Sequence, residues 1–152
     1  MKKVLIALDY HPNSEIVATA GYELAKKMNA EVCLLHVLAD VSHYGVNYSN
    51  FLGYPGYQNM GFDLGVTTQL QEMAEDYLIT AKKQFDDDKV STALEIGDSY
   101  RGILKYSEEW GADLIVMGTH SHSTIEKVLV GTVASKVLEK TNVPVYMIPI
   151  KK

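Results

Sequence analysis

Cysteine is almost absent from this chain. Its one thiol, Cys33, lies inside an apolar run, so within a single chain neither a disulfide framework nor a cysteine metal site can be assembled. That usage suits a reducing compartment. Long hydrophobic runs are missing too: none approaches the roughly 20 residues needed to span a bilayer. The apolar stretch after Met1-Lys2-Lys3 is broken by Asp9, too early for a signal peptide. A cytoplasmic protein with no membrane partner is expected. Basic residues are also scarce, with 14 Lys and Arg against 19 Asp and Glu, a net charge of -5 and no basic cluster. The electrostatic footprint of a nucleic-acid binder is therefore lacking, and no nucleic-acid partner is expected.

Several catalytic signatures are absent as well. No Gly-x-Gly-x-x-Gly follows the first apolar run, which leaves a dinucleotide-dependent dehydrogenase unsupported. No Gly-x-Ser-x-Gly elbow is present. The stretch from Gly97 to Gly102 has the glycine spacing of a P-loop, but Ile103-Leu104 stand where Lys and Ser/Thr must meet phosphate and magnesium. A cap on the next helix by Asp98 or Ser99 is the better account of it.

What remains is a chain of 152 residues, 47% apolar, expected to fold as one domain over 1–152. Short apolar runs alternate with segments of helical period, the pattern of βαβ units around a mostly parallel sheet. Strands are expected at Val4–Leu8, Glu31–Leu38, Val90–Ile96, Leu114–Met117 and Val143–Ile148. The third alternates most and is placed at an edge. A first helix follows Asn13 or Ser14, with Ile16, Val17, Ala20, Leu24 and Met28 on its inner stripe. The second carries Leu70, Met73, Tyr77, Leu78, Ala81 and Phe85; the third carries Ile103, Leu104 and Ser107 and stops at Gly111. A last helix holds Val133, Val137 and Leu138, and one longer helix running through Gly131 is the competing reading. The segment at about 40–65 has no sustained period and is rich in Tyr, Gly and Asn, which marks a long aromatic loop: a lid, a partner surface or a self-packed flap. His36 is read as a hydrogen-bonded core residue and Asp86-Asp87-Asp88 as a solvated turn.

Open α/β sheets bind ligands beyond the carboxyl ends of their strands, where the strand order reverses. If the first strand is central, Asp9 meets Gly118, Thr119, His120 and Ser121 at that point. Glycines admit a phosphate close to the backbone, and a helix start offers N–H donors to an anion, a description that fits Gly118 and Gly131-Thr132. Asp9 would repel phosphate and suits instead a sugar hydroxyl or an adenine amino group. Equally ordinary uses exist: the glycines make turns, and Asp9 and Thr132 cap a loop and a helix. His120 and His122 have no further acidic or thiol ligand in their segment, so no metal site is assigned to them.

The run Asp113-Leu114-Ile115-Val116-Met117-Gly118-Thr119-His120, with Gly131-Thr132-Val133 and Val143-Pro144-Val145, resembles the universal stress protein family. Ala7-Leu8-Asp9, Leu35-His36-Val37 and Gly97-Asp98 extend the resemblance over essentially the whole chain. It implies a doubly wound, Rossmann-like α/β fold of the adenine nucleotide alpha hydrolase type: a five-stranded parallel sheet of order 3-2-1-4-5 with helices on both faces. It also implies a homodimer through the region of the fifth strand and a cytoplasmic role in stress response with a protein partner the sequence does not identify. Nucleotide-binding members carry Gly-x2-Gly-x9-Gly-[Ser/Thr]; here the pattern reads Gly118, Ser121, Gly131-Thr132, one glycine being replaced by serine. Serine still donates hydrogen bonds but reaches positive φ at greater cost than glycine.

Carried over by position, the resemblance implies ATP, with Mg2+ on its phosphates, as the ligand. Asp9 and the Val37 backbone would contact the adenosine part, Met117 and Gly118 would border it, and Ser121, Gly131, Thr132 and Val133 would hold phosphates; His120, by its place in the loop rather than by the resemblance, is a further candidate for phosphate contact beside the default of a solvent-facing histidine. Three functions stay open: an ATP-binding regulatory homodimer, a nucleotide-free interaction module of the same fold, and a slow ATPase. For the last, His120 and Asp9 are the only candidate bases, and no catalytic residue is assigned.

Overall fold

The computed structural model describes residues 2–9, 13–39, 64–119 and 130–150. Among these residues nine elements follow one another: β1 (Lys3–Ala7), α1 (Ser14–Lys27), β2 (Glu31–Leu38), α2 (Leu64–Lys83), β3 (Val90–Ile96), α3 (Ser99–Trp110), β4 (Leu114–Gly118), α4 (Thr132–Lys140) and β5 (Val145–Ile148). The strands form one parallel sheet of order β3-β2-β1-β4-β5, with β1 central and β3 at an edge, as expected. β2 and β3 have the limits read from the sequence, β1 starts and ends one residue earlier, and β4 runs one residue further. β5 begins at Val145 rather than Val143, because Pro144 has no N–H for the ladder. Its carbonyl does join, accepting the Ile115 N–H at 2.9 Å.

Successive residues of each inner strand face opposite sides of the sheet, so a strand buried on both faces must be apolar throughout. Val4, Ile6, Val32 and Leu34 pack with Val17, Ala18 and Ala25 of α1 and Leu78 of α2. On the other face Leu5, Cys33, Leu35 and Ile115 pack with Ile103 of α3 and with Ala134 and Val137 of α4. The helices thus cover both faces, two on each. No helix among the described residues is long and apolar enough to cross a membrane.

The inner stripe of α1 departs from the expected one. Ile16 is 49% exposed, and the residues turned inward are Val17, Ala18, Gly21 and Ala25. A Cβ on Gly21 would lie 2.8 Å from Ile6 Cδ1 and 3.1 Å from Val116 Cγ1, so small residues set how closely this helix approaches the sheet. On α2, Leu70 and Leu78 are buried as expected, but Met73 is exposed and Ala74 takes the inward position. Leu138 of α4 is likewise exposed, and Ala134 packs inward beside Val137.

α3 ends as its glycine predicts. Gly111 adopts the left-handed conformation at φ 77° and returns its N–H to the carbonyls of Ser107 and Glu108. Asp98 occupies the position before the helix, but its side chain caps no N–H and instead lies 3.9 Å from Arg101. Before α4, Gly131 is extended (φ -63°, ψ 164°), which rules out a single helix running through it. In the acidic turn, Asp87 accepts hydrogen bonds from the Lys89 N–H and the Tyr22 hydroxyl, which hold its carboxyl below the usual range. The aromatic segment at 40–65 lies outside the described residues except for Leu64 and Gly65, which are the first residues of α2 rather than loop.

Candidate functional site

Because every strand runs the same way, the carboxyl ends gather at one edge of the sheet. The chain leaves β1 for a helix on one face, and leaves β4 for a helix on the other, so a crevice opens between these two strand ends. A cavity of about 260 Å³ lies there. Asp9 follows β1, Val37 is near the end of β2, Met117 and Gly118 close β4, and Gly131, Thr132 and Val133 begin α4; all seven line the cavity. Of the residues expected at the site, His120 and Ser121 lie outside the described residues.

Asp9 is exposed and is the only acidic residue among the described residues lining the cavity. Its backbone is tightly held. The Leu8 N–H donates to the Leu35 carbonyl at 2.8 Å, extending the β1–β2 ladder one residue past β1. His36, 7% exposed, uses Nδ1 to hold the Leu8 carbonyl at 2.8 Å, which matches its reading as a hydrogen-bonded core residue. That carbonyl can only accept, so the proton sits on Nδ1. The Tyr77 hydroxyl donates to the Asp9 carbonyl at 2.9 Å.

A helix start also lines the cavity. The Ser135 N–H reaches back to the Gly131 carbonyl at 2.9 Å and closes the first turn. Thr132, Val133 and Ala134 come before it, and their N–H groups have no acceptor within the helix. Gly131 supplies no side-chain cap, so among the described residues this turn presents its donors, and the partial positive charge of the helix end, at the cavity wall. The rest of the wall is largely apolar, with Val17, Leu35, Ile103 and Ile150 among its residues.

Two glycines here serve close packing. A Cβ on Gly118 would lie 2.7 Å from both Ile150 Cδ1 and Val17 Cγ2. Gly102 of α3 would place one 2.9 Å from each methyl of Val37, so the glycine spacing that imitates a P-loop instead seats α3 against the cavity wall. Thr119 laces the same region together. Its N–H donates to the Ile148 carbonyl at 2.9 Å, its Oγ1 accepts the Ile150 N–H at 2.8 Å, and Ile150 is thereby folded over Gly118. Sequence reasoning missed Ile150, Ser14 and the contact made by Tyr77, since nothing local marks them as neighbours of Asp9. Among the described residues no group of three or more His, Cys, Asp or Glu converges as a metal site would require.

The model of the universal stress protein family matches residues 1–149. Universal stress protein MJ0577 of Methanocaldococcus jannaschii is 30% identical over 99% of this chain and 96% of its own length. Its solved structure superposes with a TM-score of 0.74 at 26% identity, covering 99% of this chain and 97% of that one. A universal stress protein from Archaeoglobus fulgidus, solved in complex with dAMP, superposes with a TM-score of 0.62 at 18% identity, covering 97% of each chain.

Proposed function

The chain belongs to the universal stress protein family, and from that premise we propose that it is a cytoplasmic, ATP-binding regulatory protein of stress response. In this reading the whole chain acts as one domain, forms a homodimer through the region of β5, and passes its ligand state to a protein partner. One observation carries the proposal: a single cavity is lined both by a carboxylate and by a helix start to which Gly131 gives no side-chain cap. A nucleotide needs both. Its base and sugar offer N–H and O–H donors to Asp9, and its phosphates accept from the N–H groups of Thr132 and Val133 beside Gly131. Val37, Met117 and Gly118 border the adenosine part, with apolar wall for the flat base. His120 and Ser121 join the phosphate end on the strength of the sequence pattern. The residues present fit the ligand, and Mg2+ would be held by the phosphates, since no group of three or more His, Cys, Asp or Glu converges among the described residues. The dAMP complex of the Archaeoglobus relative supports an adenine nucleotide as the ligand class.

The test is calorimetric titration of nucleotide-free protein with ATP and Mg2+. Micromolar binding is expected, weakened about tenfold or more by Asp9→Ala, the loss of a charge-assisted hydrogen bond. Ser121→Gly, run alongside, measures what the replaced glycine costs. If neither protein gives heat or thermal stabilisation, the chain is instead a nucleotide-free interaction module.

A further inference from the structure

The backbone at Asp9 is pinned on both sides by side chains that lie far away in sequence. Each peptide unit is planar, so fixing its carbonyl direction fixes the plane. The plane before the Asp9 Cα ends in the Leu8 carbonyl, held by His36 of β2 at 2.8 Å. The plane after it carries the Asp9 carbonyl, held by Tyr77 of α2 at 2.9 Å. With both planes set, φ and ψ of Asp9 are set, and with them the direction in which its carboxylate leaves the chain. The two rings also meet edge to face, with centroids 5.8 Å apart at 74°.

Proton accounting extends the brace by one residue. A phenol has one O–H, and that of Tyr77 is given to Asp9; the contact between Tyr77 and Ser14 therefore has Ser14 donating to the phenolic oxygen. Ser14 is buried at the first turn of α1. One hydroxyl on α2 thus holds the end of the β1 segment and the start of α1 together. Leu8 and Ser14 also line a second hollow, between α1 and α2, whose other side is formed by Tyr77, Thr80 and Gln84.

We infer that Tyr77 is a positioning residue for the ligand, acting through Asp9, and that His36 is its counterpart on the other side of the same Cα. The inference rests on the nucleotide-binding reading for its ligand and on the contacts above for its geometry. It makes the seating of α2 a determinant of affinity although, among the described residues, none of α2 lines the ligand cavity.

A double-mutant cycle with ATP and Mg2+ tests it. Tyr77→Phe keeps the ring against His36 and removes only the hydroxyl; it is expected to weaken binding roughly three- to tenfold, the worth of one hydrogen bond. In an Asp9→Ala background the same change is expected to do nothing further. Additive losses overturn the inference, as does a Tyr77→Phe protein that binds ATP as tightly as the parent. Failure of the parent to bind sinks the nucleotide reading instead, and hydrogen exchange on the nucleotide-free protein then decides whether the brace exists. In Tyr77→Phe the Ile16 amide, bonded to the Asn13 carbonyl at 3.1 Å, should exchange severalfold faster, while the Ala112 amide, bonded to Ser107 at 2.8 Å, keeps its rate. Equal exchange at Ile16 overturns the brace. Should Tyr77→Phe fold poorly, Ser14→Ala leaves the bond to Asp9 in place, removes one anchor, and is expected to give a smaller effect in both measurements.

Discussion

Gly118 shows how one missing side chain can serve packing and the site together. Its position is ordinary strand, so any residue could adopt the backbone; what forbids a larger one is space. A methyl there would sit 2.7 Å from both Ile150 and Val17, two residues that are themselves buried. Gly118→Ala is therefore expected to destabilise the protein by about 1–3 kcal/mol through overpacking, and to displace Ile150 from the cavity wall. A chemical denaturation midpoint indistinguishable from that of the parent would show that the space opens freely and that this account is wrong. At this scale the sequence was only partly legible. Asp9, Gly118 and Gly131-Thr132 were legible as neighbours in one crevice because strand ends and glycines punctuate the chain, whereas Val37, Met117 and Val133 came only with the family resemblance. Tyr77 and Ser14 were not, because their meeting depends on helix positions 63 residues apart. Period placed Tyr77 on an inner stripe, but period cannot say which backbone carbonyl a phenol will find.

Among the elements, α4 has the most to reveal, because Gly131 gives its first turn no side-chain cap. A helix start without a side-chain cap gives up stability that Ser, Asp or Asn would supply. Gly131 is extended, a conformation open to any residue, so Gly131→Asp can be accommodated by the backbone. It is expected to stabilise the nucleotide-free protein by a few tenths to about 1 kcal/mol, by capping and by placing negative charge at the helix end. The same carboxylate occupies the ground proposed for the phosphates, so ATP binding should fall by tenfold or more. Thermal unfolding and calorimetry should thus move in opposite directions, and a variant that gains stability while keeping full affinity would place the phosphates elsewhere. The strands were the legible elements, since burial on both faces forces continuous apolar runs. Helix faces were read less well. Ile16, Met73 and Leu138 were expected inward because they are large and apolar, yet the inward places went to Ala18 with Gly21, Ala74 and Ala134. Close packing of a helix on a sheet selects small residues, and hydrophobicity alone ranks them too low.

Considered whole, the molecule is a sheet with two cores, and the core behind α3 and α4 contains titratable groups that the site does not use. Cys33 is fully buried on the central part of β2, and its thiol faces the Tyr106 hydroxyl of α3 at 3.5 Å. Burial pushes the Cys33 thiol up, with its hydrogen bonds involving Tyr106 and Ser91 opposing it, and burial together with the Cys33 contact pushes Tyr106 up. Both groups are acids whose folded pKa exceeds the unfolded one. Their contribution is therefore fully present below the unfolded values, about 8.5 for Cys and about 10 for Tyr. It is lost as pH rises above them, because the unfolded chain releases protons that the folded chain keeps. Urea denaturation at pH 10.5 should accordingly show a stability on the order of 1–2 kcal/mol below that at pH 7, the partial exposure of Tyr106 limiting its share. In a Cys33→Ala, Tyr106→Phe protein most of that alkaline loss should disappear, whatever the change in stability at pH 7. If the double variant loses as much between the two pH values as the parent does, the alkaline sensitivity arises elsewhere, and the core behind α3 and α4 is not its source.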